Sequence, residues 1–383
     1  GPAGPEPVVL EDGRGRAHGS YPRRVPVPFD GLTSAQAVAV RHPAGPAAVV
    51  AGAGTGKTRV VVERFAWLVA RGVAPEAIVV LALTPPAADD LRGAIELALG
   101  DRPFEELVVA TVPSFALRLL RDEALEAGLD AFVLPATPAD RLALLLERVD
   151  ELPLTRHDLA GNPAAALARI LARIDRCKDE GVTAGAHAVW AAALPDDAEG
   201  AALYATHDRM LAERGALDAG DLVLRAHALL AGRPHVRART AERFVHVLVD
   251  DHQDLTRAQA RLVAGLIAEH GNLLVTADPD QRIAPTATRP LGNLEALRGL
   301  WPELVEYGLG PSLRMPARIA AAAEAVVTPL EPARRLPRAH AAPPTMAPSP
   351  GAEAEVRFWR CTNDRAQAQA TAADVERLVR SGV

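Results

Sequence analysis

Two hydrophobic rhythms alternate along the chain. Short apolar runs at residues 47–50, 78–83, 107–112, 245–250 and 273–278 have the length of strands buried on both faces. Between them, apolar residues recur at helical spacing. Val61, Val62, Phe65, Leu68 and Val69 mark a helix over 59–70, a second helix runs to about 99, and a third starts at Ser114. Strand and helix in alternation predict a parallel sheet with helices on its faces. Upstream, Thr33 or Ser34 can cap a short helix that ends near Val40. From about 114 to 230 the strand signal disappears, and Ala/Leu/Arg-rich stretches such as 140–149 and 163–177 predict an all-helical insertion. The last two apolar runs then resume the sheet, ending on Asp250 and Asp278. Residues 330–351 turn rich in Pro and Ala and read as a linker, after which 356–359 and a helix over 364–380 open a new strand–helix unit.

Composition changes this picture in a few places. At 383 residues, 49% hydrophobic and 23% charged, the chain reads as globular and large enough for two or three domains. Residues 1–29, rich in Pro, Gly and Arg and lacking periodic apolar positions, read instead as a flexible arm. Cys177 and Cys361 lie far apart and outside any CxxC or Cys/His cluster, so neither a disulfide framework nor a zinc site is expected, and a cytoplasmic setting fits. No apolar leader and no run of about 18 apolar residues appears, so no membrane partner is expected. With a net charge of -6, any contact with nucleic acid must use a local basic patch. Of 42 Lys and Arg residues only two, Lys57 and Lys178, are lysine. Against that background, a lysine at position 57 reads as a chemical requirement.

The reason lies in its neighbours. Ala51, Gly52, Ala53, Gly54, Thr55, Gly56, Lys57 and Thr58 form a glycine-rich loop between a strand and a helix. Successive backbone N–H groups of such a loop can surround phosphates, and the glycines let the backbone approach oxygen atoms without a Cβ in the way. Lys57 supplies a compact charge to those phosphates, and the Thr58 hydroxyl can ligate Mg²⁺. Asp250 ends a later strand, where a carboxylate of a doubly wound sheet stands beside the nucleotide and can hold the metal. Asp251, next to it, can orient or deprotonate an attacking water. Gln281 follows the next strand, where an amide could hydrogen-bond the γ-phosphate, although by itself it reads as a polar turn residue.

These pieces, in this order, resemble the superfamily 1A DNA helicases of the UvrD/Rep/PcrA type. Residues 32–36 are similar to the family's Q motif, 51–58 to its AGAGTGKT loop, and 249–254 with Thr256 and Gln259 to its VDExQD segment and T-x-x-Q continuation. Residues 277–283 resemble GDxDQSI, 313–316 the NYRSP segment, and 217–230, with Asp218, Asp221 and Leu222, the FDDL helix. The resemblance spans about residue 30 to the end. It implies an α/β fold: a RecA-like P-loop NTPase domain 1A (30–113 and 231–310) with a parallel sheet, interrupted by an all-helical insertion 1B (114–230), then the start of a second RecA-like domain 2A (311–383). It also implies ATP and Mg²⁺ as cofactors and translocation along single-stranded DNA, usually 3′ to 5′, in repair or recombination, in a nucleoid-associated cytoplasmic protein. Carried over residue by residue, Gln36 reads adenine and Arg59 lies on the adenine face. Lys57 and Thr58 take phosphates and metal, Asp250 holds Mg²⁺, Asp251 is the base, Gln281 senses the γ-phosphate and Arg314 is the arginine finger.

The departures from the family pattern concentrate where DNA is expected. Residues 83–88 stand in place of FTNKAA, so Leu83 replaces an aromatic and Pro85-Pro86 replace an Asn-Lys pair. Thr111, Val112, Pro113, Ser114 and Phe115 stand for TFHSF, and Ala284, Pro285 and Thr286 for Tyr-Arg-Trp. Leu313 stands where a Tyr would stack on adenine, and Asp251 where Glu is usual. Base stacking on aromatics contributes about 1–3 kcal/mol per base. Two readings follow: a motor of this family, or a non-motor ATP-binding subunit of a RecB/AdnAB-like end-processing complex with degenerate DNA contacts and partner subunits that supply the main engine. The family's later motifs V and VI have no counterpart before Val383, so a fragment is expected, which alone binds nucleotide without unwinding duplex.

Overall fold

The structure, a computed structural model, describes residues 31–155, 161–193, 197–281, 292–327 and 359–382. The arm at 1–29, the linker at 330–351 and most of the strand run at 356–359 lie outside the described residues.

Six strands form one all-parallel sheet in the order β3-β2-β6-β7-β1-β8: β1 (Pro46–Val50), β2 (Ile78–Ala82), β3 (Val108–Thr111), β6 (His246–Val249), β7 (Leu273–Ala277) and β8 (Val305–Tyr307). Alternate residues of each strand enter different cores. Ala47, Val49, Ile78, Val80, Leu248 and Leu274 pack under α1 (Ser34–Val40), α2 (Lys57–Ala70) and α3 (Pro85–Leu99). Ala48, Val50, Val79, Leu81, Val247, Val249 and Val275 pack under α4 (Val112–Asp122), α10 (Ala219–Gly232) and α12 (Arg257–Leu266). Burial on both faces explains why these strands read as unbroken apolar runs rather than as alternation, and each buried Val, Ile or Leu among them contributes about 1.5–3 kcal/mol.

The crossover from β1 to β2 passes over β7 and β6. Strand order therefore reverses beside β1, and the loops after β1, β6 and β7 open at one carboxyl edge, which is where such sheets bind ligands.

The insertion has its own core. Leu144, Leu167, Ile170, Ile174, Leu203, Tyr204 and Met210 come together from α6 (Pro138–Glu147), α7 (Pro163–Asp179) and α9 (Ala198–Glu213), with α8 (Ala184–Ala191) packed on α9. At the ends of the expected 114–230 span, Phe115, Leu119, Val223 and Ala226 lie in the sheet-side core instead. The insertion is also not all-helical: β4 (Leu134–Ala136) and β5 (Ala216–Asp218) form a parallel two-stranded ladder. Three residues per strand, with Pro135 inside one of them, are too few to register as a strand pattern. Strand β8 was not expected either; it is three residues long and carries Glu306 at its centre. Short helices α5 (Ala124–Ala127), α11 (Pro234–Arg243) and α13 (Gly292–Leu300) connect these parts, and α14 (Ala317–Val327) and α15 (Asp364–Arg380) follow the sheet. Among the described residues no helix is long and apolar enough to cross a membrane.

Candidate active site

The loop between β1 and α2 turns on two glycines with left-handed backbone, Gly54 (φ +70°) and Gly56 (φ +92°). Both are hemmed in. A Cβ on Gly54 would lie 2.4 Å from Ser312 Oγ and 3.1 Å from Arg314 Cβ, and one on Gly56 would lie 2.4 Å from Gln36 Nε2. The loop is thus clasped from two sides by distant segments. Gln36, fully buried on α1, donates from Nε2 to the Thr55 carbonyl (2.8 Å) and accepts at Oε1 from the Thr33 N–H (3.0 Å), completing a capping box with Thr33. From the other side the Leu313 N–H donates to the Gly54 carbonyl (2.8 Å).

Lys57 opens α2 and folds back over the loop. Its Nζ donates to the Ala51 and Gly52 carbonyls, each at 3.1 Å, and stands 3.6 Å from Asp278 Oδ2. The Thr58 hydroxyl donates to Asp250 Oδ2 (2.8 Å), which joins the first turn of α2 to the end of β6. Thr276 on β7 donates its hydroxyl to Asp250 Oδ1 (2.5 Å). Burial and the neighbouring Asp251 raise the Asp250 carboxyl above its ordinary range, against the hydrogen bonds from Thr276 and Thr58 and the charge of Lys57. A carboxylate held this way is short of positive charge. Among the described residues no cluster of three His, Cys, Asp or Glu side chains gathers to hold a metal. A single carboxylate with one hydroxyl suits Mg²⁺, which keeps several waters and takes its remaining ligands from phosphates.

Asp251 is the one described non-glycine residue with positive φ (+54°), so the turn after β6 is strained where it carries its second acid. Gln253 braces this turn. Its Nε2 lies 3.1 Å from both Asp251 Oδ1 and Asp254 Oδ2, and its Oε1 accepts from the Asp278 N–H (3.0 Å).

The structure therefore brings Gly52–Thr58, Gln36, Asp250 and Asp251 together, with Arg314 at the rim. Arg59 is part-exposed, donating to the Gly31 carbonyl (3.2 Å) and pairing with Glu63 at 3.7 Å. Gln281 ends a short 3-10 turn after β7 with its side chain exposed, and Arg314 and Leu313 are exposed as well. Sequence reasoning missed Thr276, Gln253, Asp278 and Ser312 as site residues. Asp278 and Gln253 left usable signals, the first as an acid at the carboxyl end of a central strand and the second as the glutamine of the 249–254 segment.

The positions expected to face DNA lie after β2 and β3, at the far end of the same carboxyl edge. Thr84 caps α3 with Pro85 and Pro86 in the first turn, and Thr111 caps α4 with Pro113 there. Proline suits a first helical turn, where its missing N–H has no helical partner to lose. Residues 284–286 lie outside the described residues.

Residues 32–284 match the family model described as UvrD/REP helicase N-terminal domain. The chain is 30% identical over 313 residues to the ATP-dependent DNA helicase UvrD1 of Mycobacterium leprae, covering 78% of this chain and 40% of that protein. It is 28% identical to DNA helicase II of Escherichia coli and 26% identical to the ATP-dependent DNA helicase PcrA of Bacillus subtilis, with the same coverage of each. The chain thus spans about 40% of the length of these curated relatives. By its glycine loop, its parallel sheet and this match, the chain belongs to the UvrD/REP helicase N-terminal domain family.

Proposed function

We propose that this chain is the ATP-binding and ATP-hydrolysing part of a DNA helicase motor that moves on single-stranded DNA, 3′ to 5′, in repair or recombination. The observation that carries the reading is the Thr58–Asp250 hydrogen bond at 2.8 Å with Lys57 beside it. A hydroxyl, a carboxylate and a lysine thereby share one spot at the mouth of a glycine loop. Thr58 and Asp250 would hold Mg²⁺, which neutralises phosphate charge when bound. Lys57 exchanges its two carbonyl partners for β- and γ-phosphate oxygens, and the loop N–H groups surround the same phosphates.

Asp251 orients a water for in-line attack on the γ-phosphorus and accepts its proton as the bond to the β–γ bridging oxygen breaks. An aspartate reaches one methylene less far than a glutamate, so hydrolysis is slower than with Glu at that position. Gln281 reports the γ-phosphate and Arg314, carried beside Gly54, stabilises the charge of the transition state. Gln36 holds the loop through Thr55 and, with Arg59, borders the adenine. In this division of the chain, 30–113 and 231–310 form the nucleotide domain, 114–230 the insertion and 311–383 the start of the second domain.

The second reading, a non-motor ATP-binding subunit of a DNA end-processing complex, is favoured by Leu83, Pro85, Pro86 and Pro113, which offer no aromatic ring for bases to stack on. ATP hydrolysis by a full-length protein, with and without single-stranded DNA and with Lys57→Ala as control, separates the two. The motor reading predicts a many-fold rise with DNA that is lost in Lys57→Ala. An ATPase indifferent to DNA, or ATP binding without hydrolysis, selects the non-motor subunit, and absence of ATP binding refutes both.

A further inference from the structure

Thr276 lies on β7, between β6 and β1, with no exposure to solvent. It is a polar residue in an otherwise apolar strand end, and its single hydroxyl has two partners on the turn after β6. Thr276 Oγ1 accepts from the Asp251 N–H (3.0 Å) and donates its own proton to Asp250 Oδ1 (2.5 Å). A backbone N–H can only donate, so Oγ1 accepts from it, and toward an ionised Asp250 carboxylate, which has no proton of its own, Oγ1 can only donate. Thr58 meanwhile donates to the other oxygen, Asp250 Oδ2. The two bonds to Asp250 differ in kind. Thr58 sits exposed at the loop and is itself a candidate phosphate-side ligand, whereas Thr276 is enclosed in the sheet.

From this geometry we propose that Thr276 is a positioning residue: its hydroxyl aims the Asp250 carboxylate toward the phosphate loop and holds the positive-φ turn that presents Asp251. When Thr58 turns from Asp250 to a bound cation, Thr276 keeps Oδ1 in place, so Oδ2 faces the loop in a fixed direction. The same hydroxyl ties down the amide of the strained residue. One buried group on a neighbouring strand thus couples the metal-binding acid to the water-activating acid. The inference rests on the assignment of Asp250 and Asp251 to Mg²⁺ and water.

The test compares the wild-type chain with Thr276→Val, which keeps the shape and removes the hydroxyl, and Thr276→Ser, which keeps the hydroxyl. Two readouts are taken on the full chain. In protein free of metal and nucleotide, exchange of the Asp251 amide hydrogen accelerates at least tenfold in Thr276→Val and stays near wild type in Thr276→Ser. In the second readout, a non-hydrolysable ATP analogue is titrated at a series of Mg²⁺ concentrations. The Mg²⁺ concentration giving half-maximal tightening rises about tenfold in Thr276→Val, while affinity for the analogue without Mg²⁺ is unchanged, and Thr276→Ser restores the wild-type dependence. If Thr276→Val lacks a cooperative melt, Thr276→Ala, which brings no added methyl against the carboxylate, takes its place. Equal amide exchange and equal Mg²⁺ dependence in wild type and the hydroxyl-less variant overturn the positioning role. A wild-type chain whose analogue binding ignores Mg²⁺ overturns instead the metal assignment on which it rests.

Discussion

The two lysines of this arginine-rich chain are held in opposite ways. In the insertion, the Lys178 side chain is completely enclosed, and its Nζ meets Asp208 at 2.9 Å, Asp218 at 2.8 Å and Asp221 at 2.7 Å. Three donors on one tetrahedral nitrogen find three carboxylates, a fit that a planar guanidinium could not make. Its stem runs against Gly220, where a Cβ would lie 2.7 Å from Lys178 Cβ and 2.8 Å from Cδ. Arg141 adds Asp175 and Asp218 from α6, and the Tyr204 ring lies 5.3 Å from the ammonium. Burial opposes the charge on Lys178, yet the three acids raise its pKa. Lys57, by contrast, has two backbone carbonyls and a carboxylate at 3.6 Å. A saturated ammonium ties helices together, whereas one resting on carbonyls can exchange them for a ligand. The same residue type thus reads as structural or functional from the completeness of its partners.

The largest effect should come from breaking the saturated site. Lys178→Met leaves three carboxylates with one buried cation fewer and should cost about 3–5 kcal/mol of stability in a denaturant titration, since unpaired buried charge is penalised heavily. Nucleotide affinity per folded molecule should stay unchanged. Lys178→Arg should also destabilise, because a larger planar head group must fit among the three carboxylates that now surround a single tetrahedral nitrogen.

Next in size is the clasp over the nucleotide loop. Gly54→Ala places a methyl group on Ser312 Oγ and demands positive φ from a residue with a Cβ, at a cost of about 1–2 kcal/mol. Unlike Lys178→Met, it should weaken nucleotide binding as well as stability. Equal affinity in Gly54→Ala and wild type would separate the 312–314 segment from the site.

The last effect shows only as a pH dependence of the saturated region. Burial, with Asp175, Glu180 and Asp218 nearby, pushes the Asp179 carboxyl up from 3.8 to about 7. Burial and Asp218 push Asp221 up to about 6. A carboxyl whose pKa is higher folded than unfolded binds more protons in the native state, so its contribution to stability falls as pH rises from 3.8 towards about 7 and is flat above. Asp179→Asn should therefore gain melting temperature over wild type at pH 8 and lose most of that gain at pH 4. A gain that does not vary with pH would remove Asp179 from the titrating set.

The same contrast explains what was legible beforehand. Strand–helix alternation and the glycine loop are local patterns, so the parallel sheet, the helix over 364–380 and the meeting of Lys57, Thr58 and Asp250 could be read from spacing. Contacts between strands leave no such trace. Thr276 in a strand reads only as a β-branched residue that suits a pleated surface, and Ser312 lies 258 positions from the glycine it touches. The rarity of lysine marks Lys178 too, but its partners left no local trace, because its three acids come from α9, β5 and α10 and meet only after the insertion folds.

The central claim is that Lys57, lightly held at the mouth of the glycine loop, waits for nucleotide phosphates. Its most direct test is calorimetric titration of Mg²⁺ and a non-hydrolysable ATP analogue into wild type and Lys57→Ala, with the unfolding free energy measured on the same samples. The account predicts saturable one-site binding that weakens about 10–100-fold in Lys57→Ala, the size of a lost charge-assisted hydrogen bond, while unfolding free energy stays within about 0.5 kcal/mol of wild type. Equal affinity in the two proteins, or a loss of binding accompanied by an equal loss of stability, would contradict it.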